Sequence, residues 1–260
     1  MPIITSNTVR ELAVAVPGAT RIFDQVGIDY CCGGGQMLAE ACKKSSASVA
    51  TVIQLLEAAE HSTVPGDKVR DWQAESLTSL AAYIIDTHHF FTKQELIRLE
   101  NLLDKVCSRH GENHPELREL RPVFEHLKQD LIPHMLKEEQ VLFPFIAQME
   151  EAVSEQRAIP MPFFATVENP VRMMMTEHDA AGELLCQMRI IAGNYDVPPD
   201  ACTSYQTLYQ ALQEFEADLH EHIHLENNIL FPRAIELECA AEPARGNASR
   251  EFGEHRCFGH

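Results

Sequence analysis

Two short stretches carry the residues best suited to chemistry. His134-Met-Leu-Lys-Glu138 runs into Val141-Leu-Phe-Pro144, and 88 residues later His222-Ile-His-Leu-Glu226 runs into Ile229-Leu-Phe-Pro232. A histidine and a glutamate four positions apart on a helix share a face, one turn from each other, and can aim an imidazole and a carboxylate at a common point. That is how a metal ion is held. Each pair interrupts an apolar stripe: Leu120, Phe124, Leu127 and Leu131 precede the first, and Leu208, Leu212, Phe215 and Leu219 precede the second. A histidine and a glutamate therefore fall within core, twice.

If the echo is an internal duplication, each half should also supply a histidine on its leading helix. His178, in Thr176-Glu-His178-Asp-Ala-Ala-Gly182-Glu-Leu-Leu185, stands 44 residues before His222, and His89 stands 45 before His134. His88 competes with His89. The His89 stripe contains Ile85, Leu96, Leu99 and Leu103, whereas the His88 stripe runs on to Glu95 and Arg98, so His89 is the expected ligand and His88 a supporting or surface residue. A lone histidine on an apolar face is more often a hydrogen-bonded core residue. Four converging histidines with two glutamates are another matter, because an ionised carboxylate in a dry core costs several kcal/mol unless positive charge lies beside it.

The ligand types narrow the metal. Imidazole and carboxylate without thiolate suit borderline-to-hard ions of high coordination number rather than a closed zinc site. Two bridging carboxylates and four imidazoles supply roughly eight bonds, against roughly twelve for two six-coordinate ions. The pattern thus predicts a di-iron centre, two iron ions bridged by oxo or hydroxo and carboxylate groups, with room for a small molecule.

The elements that must position these residues are helical. Amphipathic patterns run over about 75–109, 115–150, 170–192 and 203–238, separated by Gly, Pro and Asn punctuation such as Gly111-Glu-Asn-His-Pro115. They predict an all-α fold: an antiparallel four-helix bundle over 70–239, preceded by a small helical domain over 1–62 and followed by a flexible tail over 240–260. Thr8-Val-Arg-Glu11 is a capping-box pattern, Pro17 and Gly27 bracket a second helix, and His61 to Asp67 reads as a linker. Pro133, Pro144 and Pro232 fall inside bundle helices and are expected to kink them near the site.

The chain has 260 residues, a formal net charge of -18 and 45% hydrophobic residues. Such acidity argues against nucleic acid or an anionic membrane as partner. No apolar run approaches a bilayer span, and the first ten residues lack the pattern of a signal peptide. Eight cysteines scattered along helices do not make a secreted disulfide framework. The expected location is the reducing cytoplasm.

These residues resemble the iron-sulfur cluster repair proteins, the "repair of iron centres" di-iron family, over about 5–238. Ile28-Asp-Tyr-Cys-Cys-Gly-Gly34 is similar to that family's small N-terminal domain. His134-Met-Leu-Lys-Glu-Glu-Gln140, Glu177-His-Asp179, Ala181-Gly-Glu-Leu-Leu185 and Leu225-Glu-Asn-Asn228 are similar to its hemerythrin-like bundle. The resemblance implies iron ligation by His89, His134, Glu138, His178, His222 and Glu226, with the two glutamates bridging. It implies functional roles for Cys31 and Cys32, and for Glu177 on a path between the cysteine loop and the irons. Asp130 stands where the family has a second such glutamate, and Pro133 directly precedes a ligand. The implied function is repair of clusters damaged by nitric oxide or peroxide, by supplying iron, with damaged iron-sulfur proteins or an assembly scaffold as partners and a homodimer as a compatible assembly. Reduction of nitric oxide to nitrous oxide is the enzymatic alternative, and oxygen binding or sensing a third.

Cys31 and Cys32 carry the choice among these, since an oxygen carrier needs no thiols. Gly33 to Gly35 free the backbone for positive φ or close approach. Glycine-rich backbone ahead of a helix offers N–H groups that favour a thiolate, and a disulfide between neighbours would be strained. A redox or transient metal- or NO-binding role is expected; the plainer alternative is a turn closed by two small apolar residues. Cys42, Cys107, Cys186 and Cys202 read as core or surface thiols.

Overall fold

A computed structural model describes residues 3–61 and 70–241. Most of the expected linker and nearly all of the expected tail lie outside the described residues.

Four short helices form the N-terminal part: α1 Val9–Ala15, α2 Ala19–Val26, α3 Leu38–Lys44 and α4 Val49–His61. The capping box is made. Thr8 Oγ1 accepts the Glu11 N–H at 3.1 Å and the Glu11 carboxylate accepts the Thr8 N–H at 3.0 Å, satisfying two donors that a helix start otherwise leaves unpaired. Gly18 and Gly27 sit at the two ends of α2 with φ of 77° and 67°, the left-handed geometry that only glycine adopts cheaply. Phe23, Leu38, Val52 and Leu56 are buried beneath these helices, in the same apolar cluster as one end of the bundle.

The four long helices span 77–110, 116–154, 168–191 and 203–241. Neighbours run antiparallel: Leu77 and Leu80 at the start of the first pack with Ile146 and Met149 near the end of the second, where the Leu77 N–H donates to Glu150 at 2.7 Å. The apolar core is in two parts. Leu99, Leu103, Leu120, Phe124, Leu185, Leu212 and Phe215 belong to one; Leu80, Ile84, Phe143, Ile146, Met174, Leu230 and Phe231 belong to the other. On every helix the predicted ligands lie at the junction, so a polar layer crosses the bundle between two greasy ends.

Three of the helices widen at this layer. π-helical turns occupy Ile84–His89, Glu138–Leu142 and Glu226–Leu230. The Phe143 N–H reaches back five residues to the Glu138 carbonyl, and the Phe231 N–H to that of Glu226, the bonding of a π-bulge. The expected proline kinks are thus corrected in form. Pro144 and Pro232 follow wide turns that carry the helix onward, and Pro133 lies within regular α-helix. No helix among the described residues is long and apolar enough to cross a membrane.

Candidate metal centre

All six expected ligands meet in the polar layer, each at most 2% exposed. They form two groups, His89, His222, Glu138 and Glu226, and His134, His178, Glu138 and Glu226, whose ligand atoms lie within 4.8 Å of one another. Both glutamates belong to both groups. Glu226 divides its oxygens: Oε1 is 3.0 Å from His222 Nε2, and Oε2 is 3.1 Å from His178 Nε2. Glu138 turns one oxygen to both sides, with Oε2 at 3.5 Å from His89 Nε2 and 3.2 Å from His134 Nε2. Paired imidazole nitrogens approach to 3.1 Å (His89, His222) and 3.0 Å (His134, His178). Two ligands about 2.1 Å from a common ion at right angles lie about 3.0 Å apart, so the spacing fits metal ligation.

The charges make the same case. Both oxygens of Glu138 and Oε2 of Glu226 are buried without a hydrogen-bond partner, an arrangement that is unfavourable unless a cation is shared. Burial and Glu226 push the Glu138 carboxyl up, but the attraction of His134 outweighs them and holds it down to about 2. Burial opposes protonation of His89, yet the Glu138 and Glu226 carboxylates beside it carry it up to about 9. His134 follows the same logic, with Glu138 overcoming burial to reach about 10. The residues call for positive charge between them, supplied by protons or by metal ions.

Outward, three of the imidazoles are anchored. His89 Nδ1 lies 2.8 Å from Glu139 Oε1, which also receives Lys93 Nζ at 2.5 Å. His134 Nδ1 lies 2.9 Å from Glu177 Oε2, whose other oxygen pairs with Lys137. His178 Nδ1 lies 2.9 Å from Asn227 Oδ1. Such partners fix the tautomer and orientation of a metal-binding histidine. Glu177 is therefore joined to His134 on the neighbouring helix. Asp130 is exposed and pairs with His126 at 3.4 Å, away from the layer. Glu139, Lys93 and Asn227 carry no role in the sequence reading; Glu139 and Asn227 directly follow the expected ligands Glu138 and Glu226, and Lys93 lies one turn after His89.

Cys31 and Cys32 lie against this centre, on the chain's own bundle. Asn227 Nδ2 donates to the Cys31 carbonyl at 3.2 Å, and Cys32 Sγ is 3.6 Å from the His178 carbonyl. Asn228 secures the same loop, donating to the Tyr30 carbonyl at 2.8 Å while accepting from Arg10 Nε at 2.8 Å. A Cβ on Gly34 would stand 2.8 Å from Asn228 Oδ1 and 2.9 Å from the Tyr30 carbonyl. Close approach is thus what the glycines provide; none of Gly33 to Gly35 adopts positive φ.

The expected thiolate is corrected at Cys31. The N–H groups of Cys31, Cys32 and Gly33 all turn to the Asp29 carboxylate, at 3.1, 2.9 and 2.9 Å. The bond to Cys32, burial and the Asp29 charge push the Cys31 thiol well above its ordinary range. That bond runs between sulfurs 3.8 Å apart, and the two cysteines are not joined by a disulfide. With Asp29 they form the third group, among the described residues, that could hold a metal ion.

Residues 80–234 match the family model described as the hemerythrin HHE cation binding domain, and residues 5–60 match a domain of unknown function, DUF542. Two curated relatives are the iron-sulfur cluster repair proteins YtfE of Yersinia pestis (strain Pestoides F) and of Yersinia pseudotuberculosis serotype IB (strain PB1/+). Each is 37% identical over 227 residues, covering 87% of this chain and 96% of the relative. A polar layer of four histidines and two shared glutamates, docked to a two-cysteine loop, thus belongs to a chain that is a member of the hemerythrin HHE family and, within it, of the iron-sulfur cluster repair proteins.

Proposed function

We propose that this protein repairs iron-sulfur clusters by supplying iron from a non-haem centre of two ions, held by His89, His134, Glu138, His178, His222 and Glu226. The observation that carries the reading is the sharing of both glutamates by two ligand groups. A dinuclear ferrous centre, when loaded, supplies both labile iron and reducing electrons. Glu138 and Glu226 would contribute to both positions, and protonation of either carboxylate would weaken both. Lys93 and Lys137 keep Glu139 and Glu177 ionised and so hold the proton of His89 and of His134 on Nδ1. Cys31, Cys32 and Asp29 stand beside His178 as a group able to accept an ion in transit. Protonated Cys31 must lose its proton to do so, which couples release to a base or to the incoming ion.

The test uses anaerobic ferrous protein and an apo-ferredoxin. Iron should pass to the acceptor stoichiometrically, and a Cys31→Ser/Cys32→Ser variant should transfer more slowly while retaining its iron. Multiple-turnover nitrous oxide formation from nitric oxide with an added electron donor, without iron transfer, would replace this reading with a reductase.

A further inference from the structure

One imidazole of the centre stands apart. His222 Nδ1 is fully buried and meets no hydrogen-bond partner, whereas the Nδ1 atoms of His89, His134 and His178 each have one. Metal-binding histidines almost always rest their second nitrogen on a carboxylate, a carbonyl or a water.

His88 packs beside His222 with the rings nearly parallel, at 13° and 5.9 Å between centres. It is 4% exposed, which excludes the surface position open to it from sequence. Its Nδ1 lies 3.0 Å from Asp218 Oδ1, and its Nε2 is buried without a partner. The proton positions follow. A carboxylate accepts, so His88 carries a proton on Nδ1, and in the neutral imidazole Nε2 is then the acceptor. His222 directs Nε2 to the centre, 3.0 Å from Glu226 Oε1, so its proton belongs on Nδ1. A donor and an acceptor on adjacent buried rings are thus each unpaired. Two more unpaired atoms come from the same pair of helices: Thr92 Oγ1, one turn beyond His88, and Asp218 Oδ2, one turn before His222.

We propose that these groups form a water site. The water accepts from His222 Nδ1–H and donates to His88 Nε2, so that Asp218, His88 and the water together anchor His222. One molecule with two bonds of about 2.9 Å spans a gap that the nitrogens do not close directly. Thr92 Oγ1 and Asp218 Oδ2 offer its remaining bonds, within the two to four polar partners that a buried water requires. Tyr83 packs edge-on against His88, at 78° and 5.6 Å between ring centres, and His88, Thr92 and His222 are each at most 4% exposed. His88 is then a positioning residue: it touches no metal ligand atom and acts through His222. The inference rests on the reading of His222 as an iron ligand.

Two measurements test it. A crystal structure of the full chain should show a water between His88 Nε2 and His222 Nδ1; continuous apolar packing there, or a direct bond between the rings, overturns the proposal. Chelator competition and Mössbauer spectra of the ferrous protein then test its role. His88→Leu should weaken one of the two irons by about 10- to 100-fold and shift one of two signals, while His88→Gln, whose amide oxygen can still accept from the water, should restore most of both. Asp218→Leu, at a side chain 21% exposed, should show a smaller loss at the same signal. Unchanged affinity and spectra in a folded His88→Leu protein refute the anchoring role. If His222→Ala still holds two irons, the ligand assignment itself has failed, which is a separate result.

Discussion

The two ligand groups of the centre are alike inside and unlike outside. Each has two imidazoles, both glutamates and one histidine tied to a glutamate–lysine pair. Beyond that, the His89–His222 side backs onto His88 and Asp218 on the bundle's own helices, while the His134–His178 side backs onto Asn227 and the Cys31–Cys32 loop. The repeated motif supplies like ligands to both groups, and what differs is what stands behind them. One side is braced by the bundle alone. The other is joined to the small N-terminal part through Asn227 and through the contact of Cys32 Sγ with the His178 carbonyl.

The largest effect should come from removing what both sides share. Glu226→Leu, which strips an oxygen from each group, should leave less than one iron per chain by metal analysis, and Glu138→Leu plus Glu226→Leu should leave none. Iron retained by the double variant would break the comparison at its root.

Next come the glutamates that differ between sides. Glu177→Gln and Glu139→Gln should each cost about 10- to 100-fold in affinity for one ion, and Mössbauer spectra should show different signals affected. Loss of the same signal in both would mean that the two positions are not independent.

Asn227→Ala separates bundle from loop. It removes the acceptor for His178 and the donor to Cys31, and should destabilise the protein by about 1–3 kcal/mol, with faster proteolysis of the N-terminal part. Asn228→Ala should loosen the same part without disturbing the iron spectra.

The smallest effect concerns the thiols. Cys202 caps the fourth bundle helix 3.1 Å from His110 Nε2, and the N–H groups of Tyr205 and Ser204 lower its pKa; Cys31 is shifted the other way. Rising pH should therefore bring alkylation of Cys202 first, below the ordinary thiol range, with Cys31 silent well beyond it. Mass spectrometry of iodoacetamide adducts reads this directly. Iron loading should change labelling at the cysteine loop and leave Cys202 unaffected, since it lies about 30 Å from His222 along the helix.

Much of this is legible in the sequence. Spacing alone placed His134 with Glu138 and His222 with Glu226, because a four-residue step on a helix is rigid, and the stripe of Leu96, Leu99 and Leu103 separated His89 from His88. The helix spans followed from their punctuation to within a few residues. Outer partners were less visible. Glu139 binds a histidine 50 residues away and Glu177 one 43 residues away, and no local pattern reports a cross-helix hydrogen bond. The Cys31 thiol was misjudged because glycine-rich backbone does advertise free N–H groups, and whether a nearby Asp29 captures them is a matter of loop geometry. The wide turns were half visible, as prolines where no helix should tolerate them.

Those turns also record how the site was made. A π turn holds one residue more than an α turn, so each acts as a single-residue insertion that the helix absorbed without breaking. Everything downstream is rotated by about 100° relative to an uninterrupted helix. Deleting Gln140 or Ile229 would turn Phe143 or Phe231 away from the core while leaving the ligand pair upstream in place. The repeated Leu-Phe-Pro that follows each His/Glu pair is thus less a part of the metal signal than the reset that lets an apolar helix resume after it.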